Sequence, residues 1–188
     1  LHEHEYKNLI NALGTLSEAP IYIDDSPGIS PLELRAKTRR IQAEADIKLI
    51  IIDYLQLMKG GKRKVESRYH EMSEIVREVK AFGKESGIPI IALSQLSRAV
   101  EQRQDKTPML SDLRETGEIE QTADLVMFIH RDDYYETKVA GDMKDFSLSP
   151  TTIVIAKHRN GATGAVPLML KKNISKFQDA EPVHVVPH

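Results

Sequence analysis

The sequence predicts an α/β fold: a mostly parallel sheet flanked by helices, closed at its C-terminal end by an antiparallel hairpin. Three observations carry this. Leu49-Ile50-Ile51-Ile52 and Pro89-Ile90-Ile91-Ala92-Leu93 are apolar throughout, the pattern of strands with both faces covered in a parallel sheet. Segments with helical spacing alternate with these strands. The last two strands, 152–156 and 165–170, are separated by Asn160-Gly161 and Gly164, which reads as a hairpin.

Each element has its own signal. Residues 3–17 place Tyr6, Leu9, Ile10, Leu13 and Leu16 on one side of a helix. Ile21-Tyr22-Ile23 reads as a short strand closed by Asp24-Asp25 and a Pro27-Gly28 turn. Ser30, Pro31 and Glu33 form a helix start, with a capping side chain, a proline at the first helical position and a capping-box glutamate. That helix should run to about Ala45. A glycine-rich basic loop occupies 59–64, and a long amphipathic helix follows, with Met72, Ile75, Val76, Val79, Phe82 and Gly83 on one stripe and Gly87 ending it. Leu125-Val126-Met127-Phe128-Ile129 is a third apolar strand.

The chain has 188 residues, enough for one domain over 1–180, with a Pro-containing tail at 181–188 expected to be loose. It starts at Leu1, so a cropped or processed start is expected. No run of 18 apolar residues or basic leader occurs. The absence of cysteine excludes disulfides and thiolate metal sites and suits a reducing cytoplasm. A net charge of −2 makes no case for nucleic acid. The charge is uneven, however: Lys59-Gly60-Gly61-Lys62-Arg63-Lys64 is basic, and Arg98, Arg103, Lys106 and Arg114 recur in a second polar stretch. Local basic loops can bind phosphate even where the whole domain is near neutral.

Four places can carry chemistry. Asp53 ends the first apolar strand, where a carboxylate either holds Mg²⁺, directly or through water, or simply caps the strand. Gln95 ends the second, where a glutamine either touches a γ-phosphate or its attacking water, or serves as a strand-end hydrogen bonder. Lys157 and Arg159 lie two apart, so in an extended strand they point the same way and suit an anion, including one supplied by a neighbouring subunit; a solvated hairpin end is the plainer alternative. The stretch 96–123 is too long for a tight connection, and within it Arg114-Glu115-Thr116-Gly117 sets a cation beside a glycine that allows close approach to a phosphate, or else forms a mobile surface loop. The histidines, His2, His4, His184 and His188 among them, lack a third metal ligand.

Taken together and in order, these blocks resemble the motor domain of the bacterial replicative DNA helicases of the DnaB type. The resemblance rests on Leu49 to Met58, on Ile91 to Arg98, on Val100-Glu101-Gln102-Arg103 and on Ser111 to Gly117 with Ile119-Glu120-Gln121. It continues through Arg131-Asp132-Asp133-Tyr134-Tyr135 and Ala156 to Gly164, covering most of the chain between Ile21 and Phe177. It implies a RecA-like domain in a homo-hexamer around single-stranded DNA, using ATP and Mg²⁺ to unwind duplex, with primase and a helicase loader as partners. Carried over by position, Asp53 matches the Walker B aspartate serving Mg²⁺ and Gln95 the γ-phosphate sensor. Lys157 and Arg159 match the pair reaching a neighbour's ATP, with Arg159 as arginine finger; Arg114, Glu115 and Gly117 match the loop on the DNA backbone, and 59–64 falls where a second pore-side loop lies.

There are departures. His158 stands where the family commonly has glutamine and Ala162 where it commonly has proline. No Gly-x-x-x-x-Gly-Lys-Ser/Thr occurs in the chain, and the family's catalytic glutamate lies on a strand upstream of the first residue here. Without phosphate-loop amides and lysine to cradle the phosphates, the isolated chain is expected not to hydrolyse ATP. Loss of the phosphate-loop strand should also leave strand edges and apolar surface unpaired. The alternative functions are a non-catalytic RecA-like assembly or single-strand-binding module, and a RecA-like recombinase or regulatory ATPase.

Overall fold

The computed structural model describes residues 3–61, 67–113, 117–131, 133 and 148–180. Helix α1 (Glu3–Glu18) forms as its spacing predicts, but its whole stripe, from Tyr6 to Leu16, lies on the surface. Residues 21–23 form no strand. An extended segment becomes a strand only when a neighbouring strand takes up its N–H and C=O groups, and among the described residues none does so; the Ile21 amide donates instead to Ala19 O at 2.7 Å.

Helix α2 (Pro31–Gln42) begins at the predicted capping box. The Ser30 hydroxyl accepts from the Glu33 amide at 3.3 Å, and the Ser30 amide donates to the Glu33 carboxylate at 2.8 Å. The helix ends three residues before Ala45, where residues 43–45 form a turn. Strand β1 (Ile50–Ile52) leads into a short 3₁₀ turn (Leu55–Leu57), and helix α3 (Arg68–Ser86) follows. Ser67 caps α3, and Gly87, at φ 69°, ends it in the left-handed conformation that glycine adopts without cost. Strand β2 (Ile90–Ala92) pairs in parallel with β1, Ile50 opposite Ile90.

The core lies between this parallel pair and α3, with Ile50, Ile52, Met72, Ile75, Val79 and Phe82 buried together. Gly83 permits the close packing, because a Cβ there would stand 3.3 Å from the Ile90 side chain. The opposite face of the pair is open: Ile51 and Ile91 are 62% and 48% exposed. These strands are therefore covered on one side among the described residues, where their composition predicts cover on both.

The second half is an antiparallel sheet in the order β3 (Leu125–His130), β4 (Leu148–His158), β5 (Gly164–Lys171), β6 (Lys176–Asp179). Strand β3 buries Val126, Phe128 and His130 and exposes Leu125, Met127 and Ile129, so its apolar run is half-buried. The predicted hairpin is the β4–β5 pair, extended by β6, whose short polar sequence gave no signal.

Between the two sheets, the stretch 96–123 is organised over its described residues. It holds two 3₁₀ turns (Arg98–Gln102 and Leu110–Asp112) and helix α4 (Gly117–Thr122). Its anchor is Arg103, bidentate to the buried Asp112 at 2.9 and 2.7 Å. The Asp112 carboxylate also accepts from the Met109 amide at 2.9 Å. A turn-and-helix organisation therefore runs through the described residues of this stretch, with Arg103 and Asp112 paired to each other. The alternative of a mobile surface loop concerns 114–117, of which only Gly117 is described. The tail 181–188, residues 62–64 of the basic loop, Arg114, Glu115, Thr116, Asp132, Tyr134 and Tyr135 lie outside the described residues.

Candidate nucleotide site

Asp53 and Gln95 come together at the carboxyl ends of β1 and β2. The ladder runs past the strands proper: the Leu93 amide donates to Ile52 O and the Leu55 amide to Leu93 O, each at 2.9 Å. Gln56 then ties the two ends. Its amide nitrogen donates to the Ser94 hydroxyl at 3.0 Å, and its amide oxygen accepts from the Gln95 backbone at 3.2 Å. Both Asp53 and Gln95 are exposed, and neither side chain engages a partner among the described residues. The Asp53–Tyr54 peptide is cis.

Sequence reasoning missed Gln56 because its role depends on the parallel register. It also missed Arg68, whose guanidinium donates to Gln56 O at 2.7 Å and Met58 O at 3.4 Å while pairing with Glu71 at 2.6 Å. Glu71 in turn accepts from the Gly60 amide at 2.8 Å. That backbone hydrogen bond first, and Arg68 second, hold the Glu71 carboxyl below the usual range. A side chain at Gly60 would collide with Glu71, its Cβ falling 2.7 Å from Glu71 Cγ. The start of the basic loop is therefore pinned to α3 directly behind the strand end.

Lys157 and Arg159 form a second group on the other sheet. A register shift between Val126 and Met127 leaves Ala156 without a partner on β3, a bulge that re-aims the end of β4. Lys157 Nζ donates to the carbonyls of Glu120 and Gln121, at 2.5 and 3.1 Å, where α4 ends. A cation there complements the helix dipole and takes up open carbonyls. Arg159 pairs with Asp124 at 2.7 Å, and Lys80 holds the other carboxylate oxygen. No hydrogen bond or ion pair among the described residues joins Lys157 or Arg159 to Asp53 or Gln95. Gly117, the described member of the third predicted group, opens α4, and Leu113 on the other side of that group bridges to Leu96, next to Gln95.

A single exposed carboxylate at a strand end fits Mg²⁺, which keeps most of its waters and takes one or two protein ligands. Among the described residues no cluster of three or more His, Asp or Glu gathers for a metal. An exposed carboxylate and an exposed amide at the carboxyl ends of two adjacent parallel strands stand where nucleotide ligands of α/β sheets commonly bind, which makes them a candidate site.

The family model for the DnaB-like helicase C-terminal domain matches residues 1–179. The chain belongs to this family. Among the DnaB-type proteins it resembles, the replicative DNA helicase DnaC of Bacillus subtilis is 50% identical over 181 residues, covering 96% of this chain and 38% of that protein. The DnaB of Geobacillus stearothermophilus is 49% identical over 181 residues with the same coverage. A solved DnaB-like replicative helicase, determined with its interactions with primase, superposes with a TM-score of 0.84 at 40% identity, over 96% of this chain and 43% of that one. A second solved structure, of an ATPase domain, matches equally, at TM-score 0.84 and 40% identity, over 96% of this chain and 62% of that one. The α/β, RecA-like fold expected from the sequence therefore stands. The chain spans about two fifths of the DnaB-family relatives' length.

Proposed function

We propose that this chain is the sensor and finger portion of an ATP-driven replicative DNA helicase, which translocates on single-stranded DNA and separates duplex at the fork. The observation carrying this reading is the division of its candidate residues into two groups on two sheets, within a chain whose residues 1–179 match a helicase family. A group that acts on the chain's own nucleotide and a group that acts on a neighbour's have no need to touch.

In this reading Asp53 is the Mg²⁺ ligand, directly or through water, and Gln95 contacts the γ-phosphate, its backbone set by Gln56. Bound Mg²⁺ neutralises charge on the β- and γ-phosphates. Lys157 and Arg159 extend toward the nucleotide of an adjoining subunit in a homo-hexamer, with Arg159 stabilising charge that develops on the transferred phosphoryl group. Arg114, Glu115 and Gly117 contact the backbone of single-stranded DNA, and Lys59 begins a second basic loop. ATP, Mg²⁺, single-stranded DNA, primase and a loader are the proposed ligands and partners, and the cytoplasm the proposed site of action. No described helix is long and apolar enough to cross a membrane.

The test is ATP turnover and strand separation by the full-length protein. Single-stranded DNA is expected to stimulate turnover, and Asp53→Ala to abolish it. Arg114→Ala should weaken single-strand binding and flatten its dependence on log salt by about one unit. Wild-type turnover in Asp53→Ala, or an unchanged salt slope in Arg114→Ala, would remove the corresponding assignment.

A further inference from the structure

Arginine at the end of a strand is a long, freely rotating side chain, and a transition state is stabilised only by a group already in place. What fixes Arg159 is therefore a question the hairpin sequence leaves open. In the structure one residue fixes it twice. The Arg159 backbone amide donates to the Asp124 carbonyl at 2.8 Å, and its guanidinium pairs with the Asp124 carboxylate at 2.7 Å. The carboxylate is itself anchored, because Lys80 on α3 holds its second oxygen. Arg159 also reaches the Gln121 carbonyl at 3.5 Å, beside the carbonyls that hold Lys157.

We propose that Asp124 is a positioning residue for Arg159, presenting its guanidinium to the nucleotide of an adjoining subunit. The inference rests on the finger reading above and goes beyond it by assigning a residue that holds the finger.

Three features favour positioning over an ordinary surface ion pair. The carboxylate bridges two cations from different elements, so it joins α3, the end of α4 and the β4 turn at one point. Arg159 and Asp124 stay 48% and 56% exposed, so the held guanidinium faces outward, where another molecule can reach it. Among the described residues two of the guanidinium's five N–H donors are engaged, by Asp124 and Gln121, leaving an edge open to phosphate oxygens. The hydrogen bond from Lys80, opposed by slight burial and reinforced by the charges of Lys80, Arg159 and Lys84, keeps Asp124 ionised well below neutrality. Helix α4 connects Gly117 at its start to the carbonyls at its end that hold both cations.

The experiment compares Asp124→Ala, Asp124→Asn, Arg159→Ala and the Asp124→Ala/Arg159→Ala double variant in the full-length protein with saturating single-stranded DNA. Asp124→Ala should lower kcat about tenfold with KM within about twofold of wild type and no change in melting temperature, since an exposed pair adds little to stability. Asp124→Asn retains shape and one acceptor oxygen and should lose about threefold, which also covers the case in which the alanine variant fails to assemble. In single-turnover assays the double variant should be no slower than Arg159→Ala alone, because two residues acting through one group are not additive. Wild-type kcat in both Asp124 variants, or a further drop in the double variant, overturns the inference while leaving the finger reading intact. Wild-type kcat in Arg159→Ala overturns the finger reading and the inference with it.

Discussion

Arg103 and Asp112 show at the scale of single residues how a charged stretch becomes structure. Asp112 is 4% exposed and would be an uncompensated buried carboxylate without the bidentate guanidinium. Arg103→Ala should cost about 3–5 kcal/mol in guanidinium denaturation, whereas an exposed pair such as Lys48–Asp46 should cost less than about 1 kcal/mol. Asp133 gives a second prediction. Burial raises its carboxyl, but hydrogen bonds from Ser149, Lys172 and Arg131 outweigh that and bring it from 3.8 to about 2. A carboxyl lowered by folding adds stability above its ordinary value and loses it as pH falls through the folded one. Acid titration of stability should therefore show a loss between about pH 4 and pH 2 that is smaller in Asp133→Asn, the remainder belonging to the other carboxyls that folding lowers. An identical profile in the variant would contradict it. Asp53, Gln95, Lys157 and Arg159 were legible in the sequence because each ends a recognisable strand. Gln56, Arg68 and Asp124 were not, because what each touches is set by register, helix packing and a bulge.

Elements were legible where local chemistry decides them. The capping box of α2 and the glycine ending α3 are decided within a few residues, and both form as predicted. Ser30→Ala should remove about 1 kcal/mol, measured as a lowered denaturation midpoint, and Gly87→Ala a similar amount, because alanine at φ 69° is strained. No change in either midpoint would mean these termini are not held as described. Elements set by distant partners were harder to read. Residues 21–23 have the composition of a strand and no strand beside them, and β6 has a strand beside it without the composition. The turns and helix within 96–123 are held by Arg103, Asp112 and the buried Ile119, none of which announces a helix on its own. Burial differs from the two-sided cover that the apolar runs predict. Among the described residues β1 and β3 bury alternate residues, β2 is at most half-buried, and the exposed apolar surface is that expected where the phosphate-loop strand is missing.

At the scale of the whole molecule, the proposed functional residues lie on two sheets, and much apolar surface is exposed among the described residues. Leu9, Ile10 and Leu13 on α1, Ile51 and Ile91 on the parallel pair, and Met127 and Ile129 on β3 are all at least 46% exposed. Surface of this kind marks contact with more protein. Residues 1–188 on their own should therefore self-associate in sedimentation and show no ATP turnover, while the full-length protein stays dispersed and hydrolyses ATP. A monodisperse, active isolated chain would contradict that. By the proposed division of parts, Asp53 and Arg159 of one chain serve two different nucleotides. The most direct test is complementation between full-length Asp53→Ala and Arg159→Ala, each expected to be inactive alone. When mixed and reassembled, some Arg159→Ala subunits keep an intact Asp53 and receive an intact arginine from an Asp53→Ala neighbour. Turnover stimulated by single-stranded DNA should then reappear in the mixture, whereas mixtures as inactive as either variant alone would contradict the claim.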